Sequence, residues 1–209
     1  MTEIEENYLM HFKETIRNYY PISDESFNLL RNLVRFQKLR KGEMLLNIGE
    51  ISKHVHFICK GIMTAYFLDK NGNTYNKNIF LENQFAGSTV SRLLNVPSGF
   101  ALQAIENTTI ININYKQYKE LIYANDELKN FYIAYLEKNW VIDKEQREIS
   151  LVMENATTRY KKLLEEYPDM DKRVPLQYIA SHLGITSTQL SRIRKDLKKN
   201  ATPSTYVKS

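Results

Sequence analysis

Cysteine is nearly absent: Cys59 is the only one in 209 residues. A single thiol excludes an internal disulfide and any multi-cysteine iron-sulfur or zinc site within one chain. It lies in the apolar alternation HVHFICK, which suits a buried structural thiol, with a redox sensor as the alternative. Long apolar runs are missing too, since none approaches the roughly 18 residues of a membrane span. The opening MTEIEENYLM is acidic where a signal peptide is basic, so the expected location is the cytoplasm, with no membrane partner. Glycine is scarce and uneven. Six of the seven fall at or before Gly99, and none follows until Gly184.

That distribution divides the chain. The early part carries short alternating runs, HVHFIC, MTAYFL, LQAI and TIININY, which read as strands of a small sandwich or barrel. Turn residues punctuate them at Lys41-Gly42, Gly49-Glu50, Lys60-Gly61 and Pro97-Ser98-Gly99, and Asn71-Gly72 suits a hairpin. Ahead of the strands, Tyr8 to Tyr19 and Asp24 to Val34 read as helices. From Tyr115 to about Tyr167, ending near Pro168, the pattern is one long helix without glycine or internal proline. Leu128, Tyr132, Tyr135, Asn139, Ile142, Gln146, Ile149 and Met153 recur at steps of three and four and line one seam. Ile133, Leu136 and Trp140 make a second apolar edge. The pattern implies a homodimer, with Asn139 and Gln146 pairing across a two-fold axis; a helix packed only within its own chain is the alternative.

The segment from Val174 to Leu197, VPLQYIASHLGITSTQLSRIRKDL, reads as two short helices meeting at Gly184. Ile179, Ala180 and Leu183 give the first an apolar face, and Leu190, Ile193 and Leu197 the second. Ala180 permits close approach, Gly184 supplies a positive φ, and Thr186 with Gln189 has the spacing of a capping box. The spacing predicts a helix-turn-helix whose partner is double-stranded DNA. Ser187, Thr188, Gln189, Ser191, Arg192 and Lys195 are the candidate readers, Arg192 for a guanine; Lys195, Lys198 and Lys199 suit phosphates. A surface helical hairpin facing water is the bland alternative. Charge agrees with the first reading. From Ala156 onward there are eleven Lys and Arg against five Asp and Glu, whereas the preceding part has eighteen against nineteen. Only KKNATPSTYVKS follows Leu197, which predicts a basic, partly disordered tail.

Chemistry of other kinds has little support. His54 and His56 share one side of a strand and could in principle share a metal, but Lys60 stands where a cupin would need a glutamate. No histidine occurs between His56 and His182, and both members of the pair are expected at the surface. No nucleophile motif, phosphate loop or spaced acid pair appears, so no catalytic residue, metal or cofactor is expected.

Strand domain, long helix and helix-turn-helix, in that order, resemble the CRP/FNR family of regulators. LRKGEMLLNIGEISKHVHFICKGIMTAYFLDKNGNTYNKNIF resembles the family's early barrel, with Gly42, Glu43, Gly49, Glu50, Phe57, Ile58 and Gly61 in place. FAGSTVSRLLNVPSGFALQAIENTTIININY resembles the later barrel, and Leu190, Ser191, Arg192 and Ile193 match the recognition unit. The resemblance implies an α+β chain. A cyclic-nucleotide-binding-type β-barrel (jelly roll) spans residues 1–115, a connector and dimerisation helix 116–154, and a helix-turn-helix domain 155–209. It also implies an effector and, for an activator, contact with RNA polymerase. Members that bind cyclic AMP follow Phe-x-Gly with a glutamate for the ribose and supply an arginine for the phosphate. Here Ser88 follows Phe85-Ala86-Gly87, the arginine position falls at Ser98, and no arginine occurs from Leu93 to Gln146. The effector is therefore unknown and not cyclic AMP in its usual pose. Arg92, the nearest arginine, is expected in solvent before Leu93-Leu94, with an inward turn as the alternative. The cysteines of an iron-sulfur member are absent, and His11, His54 and His56 are unremarkable candidates for a haem ligand.

Overall fold

Alternating apolar residues in the first half become eight short strands in two antiparallel sheets, flanked by helices; the computed structural model describes residues 2–72 and 74–201. Helices α1 (Glu3–Tyr19) and α2 (Asp24–Arg31) come first. Strands β1 (Arg35–Leu39), β2 (Met44–Leu46), β3 (His54–Lys60), β4 (Met63–Leu68), β5 (Thr74–Phe80) and β6 (Phe85–Ala86) follow. After α3 (Thr89–Leu94) come β7 (Ala101–Ala104) and β8 (Thr108–Asn114). One sheet has the order β1-β8-β3-β6 and the other β2-β7-β4-β5, so the expected barrel is an open two-sheet sandwich. Gly72 closes the β4–β5 hairpin, its N–H donating to the Asp69 carbonyl.

Two apolar layers result. Leu39, Ile58, Ala86 and Ile110 of the first sheet meet Leu46, Met63, Leu102 and Ala104 of the second. On the outer face of the first sheet, Val55, Phe57, Cys59, Ile111 and Ile113 pack on Leu9, Phe12 and Ile16 of α1 and on Leu128 and Phe131. Strand β3 is therefore covered on both faces, which corrects the expected exposure of His56. His54 is exposed, but His56 is 6% exposed and hydrogen-bonded through Nδ1 to Asn112 Oδ1 at 2.5 Å. Burial holds its pKa down at about 4.

The expected unbroken helix is also corrected. Instead there are α4 (Tyr115–Ala124), α5 (Asp126–Leu136), a π turn (Glu137–Ile142), α6 (Asp143–Met153) and α7 (Ala156–Glu166). Asn125 and Asn155 make the breaks. Each has an extended backbone and accepts with its side-chain oxygen an amide of the next helix, Leu128 N at 3.0 Å and Thr158 N at 2.9 Å. Short helices α8 (Met170–Arg173) and α9 (Leu176–His182) precede α10 (Ser187–Ala201). The chain forms two compact units, Met1–Glu148 and Ile149–Ser209. No helix among the described residues is long and apolar enough to cross a membrane.

Candidate nucleic-acid interface and nucleotide cassette

In the C-terminal unit, Ile179, Ala180, Leu183 and Leu190 around α9 and α10 are buried, as are Tyr160, Leu163, Met170 and Val174 before them. Gly184 takes φ +69°, and the Ile185 N–H donates to the Ala180 carbonyl at 3.0 Å, which closes the turn. The predicted capping box is present. The Gln189 N–H donates to Thr186 Oγ1 at 3.1 Å, and the Thr186 N–H to Gln189 Oε1 at 2.9 Å. Ser187, Thr188, Gln189, Ser191, Arg192, Lys195, Lys198 and Lys199 are all exposed on α10, while Leu190 is fully buried beneath them. The oxygen of Gln189 is engaged by the cap, and the exposed hydroxyls and cations of the helix lie beyond it.

Sequence reasoning missed two positioning arginines. Arg194 turns inward, its Nε donating to the Tyr160 hydroxyl at 3.0 Å and its Nη2 to Asp171 at 2.5 Å. Tyr160 is 1% exposed, and its hydroxyl donates to the same carboxylate. This ties α10 to α7 and α8. The available signal was spacing, since Arg194 follows Leu190 by four and shares its face. Arg159 donates through Nη2 to the Leu183 carbonyl at 2.9 Å, satisfying a free acceptor at the end of α9. Ser191, Arg194, Lys195, Lys198 and Lys199 line an open groove of about 550 Å³. The expected basic tail beyond Ala201 lies outside the described residues.

In the N-terminal unit, Phe85 and Ala86 form β6, and Ser88 leads into α3. Ser88 and Ser98 are both 2% exposed, and the Ser98 hydroxyl lies 3.0 Å from that of Ser88 and 2.7 Å from the Phe100 carbonyl. Arg92 is turned inward, against the solvated position expected from Leu93-Leu94. Its Nη1 donates to the His54 carbonyl at 2.9 Å and its Nη2 to Thr89 Oγ1 at 3.3 Å, and the guanidinium stands over the Tyr115 ring at 5.1 Å. A Cβ at position 87 would come within 2.6 Å of Nη1, so Gly87 is what admits the guanidinium. The burial disfavours its charge, and Nε has no hydrogen-bond partner.

The seam residues separate into two sets. Leu128 is 1% exposed in the chain's own core, which corrects its place in a dimer seam. Tyr132 and Tyr135 pack against that core, and Asn139 bonds to Tyr19 of its own chain. Ile142, Gln146, Ile149 and Met153 are exposed. Sequence spacing missed the division because it cannot see α1 and the sheet competing for the first half of the seam.

Residues 36–125 match the family model of the cyclic nucleotide-binding domain. Curated protein sequences give no match to the chain. Among solved structures, FixK2 from Bradyrhizobium japonicum is similar with a TM-score of 0.65 at 17% identity, covering 80% of this chain and 85% of that one. The c-di-GMP-responsive global regulator CLP of Xanthomonas campestris is similar at 0.62 and 13%, covering 85% and 93%. The catabolite activator protein of Thermus thermophilus follows at 0.52 and 15%, covering 87% and 86%. At these identities the likeness is one of fold. The two positions that the family resemblance assigns to a glutamate and an arginine carry serines that bond to each other, so neither supplies charge to a ribose or phosphate.

Proposed function

We propose that the protein is a sequence-specific, homodimeric DNA-binding transcription regulator of CRP/FNR type whose input is not cyclic AMP. The observation that carries this reading is α10, a helix seated on Leu190 and capped at Thr186, whose outward face holds hydroxyls and cations and almost no carboxylate. Such a face matches base edges and phosphates in a major groove. Arg192 reads a guanine, Ser187, Thr188 and Ser191 accept or donate to neighbouring edges, and Lys195, Lys198 and Lys199 neutralise phosphates. In the homodimer, Ile142, Ile149 and Met153 meet their copies, and the pair of α10 helices enters successive major grooves about 34 Å apart. An activator of this kind also contacts RNA polymerase.

The Ser88–Ser98 hydrogen bond favours a second reading within the same class, a ligand-independent regulator whose sandwich is structural. A third, from a different class, is a signalling module that docks a protein through the α9–α10 face. Selection of genomic fragments on the purified protein, with and without small-molecule cell extract, separates the three. An enriched motif in both arms supports the ligand-independent form, and one that needs extract supports a sensor. No motif in either arm overturns the regulator and leaves the docking module. Within an enriched site, Arg192→Ala is expected to cost about 1–3 kcal/mol and to relax preference at one position.

A further inference from the structure

The connecting helix contains one turn wound differently from the rest, and its side chains are spaced for that winding. Between Glu137 and Ile142 the backbone is π-helical, and the Asp143 N–H donates to the carbonyl of Lys138, five residues back. Two side-chain pairs repeat the interval. Lys138 Nζ meets Asp143 Oδ1 at 2.7 Å, and the Tyr135 hydroxyl is hydrogen-bonded to Trp140. In an α-helix, residues five apart stand about 140° from one another around the axis and cannot pair. A π turn, with its five-residue hydrogen bonds, brings them closer to one face.

A third contact reaches outside the helix. Asn139 Nδ2 donates to the Tyr135 carbonyl at 2.9 Å and to the Tyr19 hydroxyl at 3.1 Å. Asn139 is thereby tied both to the turn before it and to α1. Tyr19 ends α1 and is itself fixed edge-on against Tyr135 at 5.4 Å and Phe131 at 6.1 Å.

We propose that Glu137–Ile142 is a two-register element, held in the π register by the Tyr19–Asn139 contact and able to relax to α when that contact opens. A π turn holds one residue more than an α turn. Relaxation therefore rotates everything after Asp143 by about 100° and advances it by about 1.5 Å. Ile149, Val152 and Met153, all exposed, are the apolar residues whose direction it changes. The last turn of α1 thereby sets which face the downstream helix offers.

The test needs no nucleic acid and stands apart from the DNA reading. Trp140 is the only tryptophan and lies inside the turn, so its emission and acrylamide quenching report the register. In the full-length protein, Asn139→Leu and deletion of Lys138 are both expected to change the quenching constant at least twofold, in the same direction. In the unaltered protein, amides of residues 139–143 are expected to exchange at least tenfold faster than those of 129–135. Equal protection of the two segments overturns the proposal even where a variant fails to fold. So does wild-type quenching in a folded Asn139→Leu.

Discussion

His56 sits on a strand covered on both faces and is held neutral there. Its ordinary value near 6.5 describes the unfolded chain, and in the folded chain burial lowers it to about 4. Above pH 6.5 both states are neutral and the group contributes nothing. As pH falls from 6.5 to 4 only the unfolded state gains the proton, so stability drops, by about 3 kcal/mol at the limit, and levels off below 4. Urea midpoints measured across that range in the wild type and in His56→Gln should show the substitution flattening the slope. Cys59 is a second case of burial overriding reactivity, its thiol pushed up to about 12. Native protein should resist iodoacetamide at pH 8 and react fully only in denaturant; rapid native labelling would revive the redox alternative. Arg92 depends on its neighbour. Gly87→Ala places a methyl 2.6 Å from Nη1 and should cost about 1–3 kcal/mol in a denaturant titration, through loss of the bond to the His54 carbonyl and local repacking.

Among the elements, helix ends carried the most reliable local signal, and two of them were missed. The Thr186–Gln189 box was legible because a cap is a contact between residues three apart, which sequence displays directly. Thr186→Ala should lower stability by about 1 kcal/mol and weaken any duplex binding more than a substitution at the exposed Glu165, since it frays the start of α10. The same chemistry at Asn125 and Asn155 broke the expected long helix. There the deciding factor is tertiary: Asn125 Nδ2 also donates to Ser26 Oγ at 3.0 Å, and the break lets Leu128 and Phe131 enter the core shared with α1. Strands β3, β4, β7 and β8 were legible from alternation. Their assembly into two open sheets was not, because closure depends on pairings between segments as distant as β1 and β8.

At the scale of the whole molecule, a two-sheet sandwich similar to the cyclic nucleotide-binding domain and a basic helical unit share one chain, and the proposed output depends on two copies. Ile149→Asp puts a carboxylate on the exposed apolar face of α6 and should shift sedimentation towards a monomer; unchanged mass would place the dimer contact elsewhere. Replacing Lys195, Lys198 and Lys199 with Gln should lower the slope of log affinity against log salt by about 3, close to one phosphate per lysine. Cyclic AMP at millimolar concentration should leave the melting midpoint unchanged, because a ligand raises it only by binding the folded state and Ser88 and Ser98 offer no charge to hold it.

The sequence by itself determined the strand-rich first half, the two helices around Gly184, the cap at Thr186 and the polar face of α10. Each of these is carried by residue type and spacing over a few positions. Only the tertiary structure decided that His56 is buried, that Arg92 turns inward past Gly87, that Leu128 belongs to the core, and that Asn139 bonds to Tyr19 in a π turn. Those outcomes depend on which distant segment covers a given face, and burial, unlike periodicity, is a property of the assembled chain.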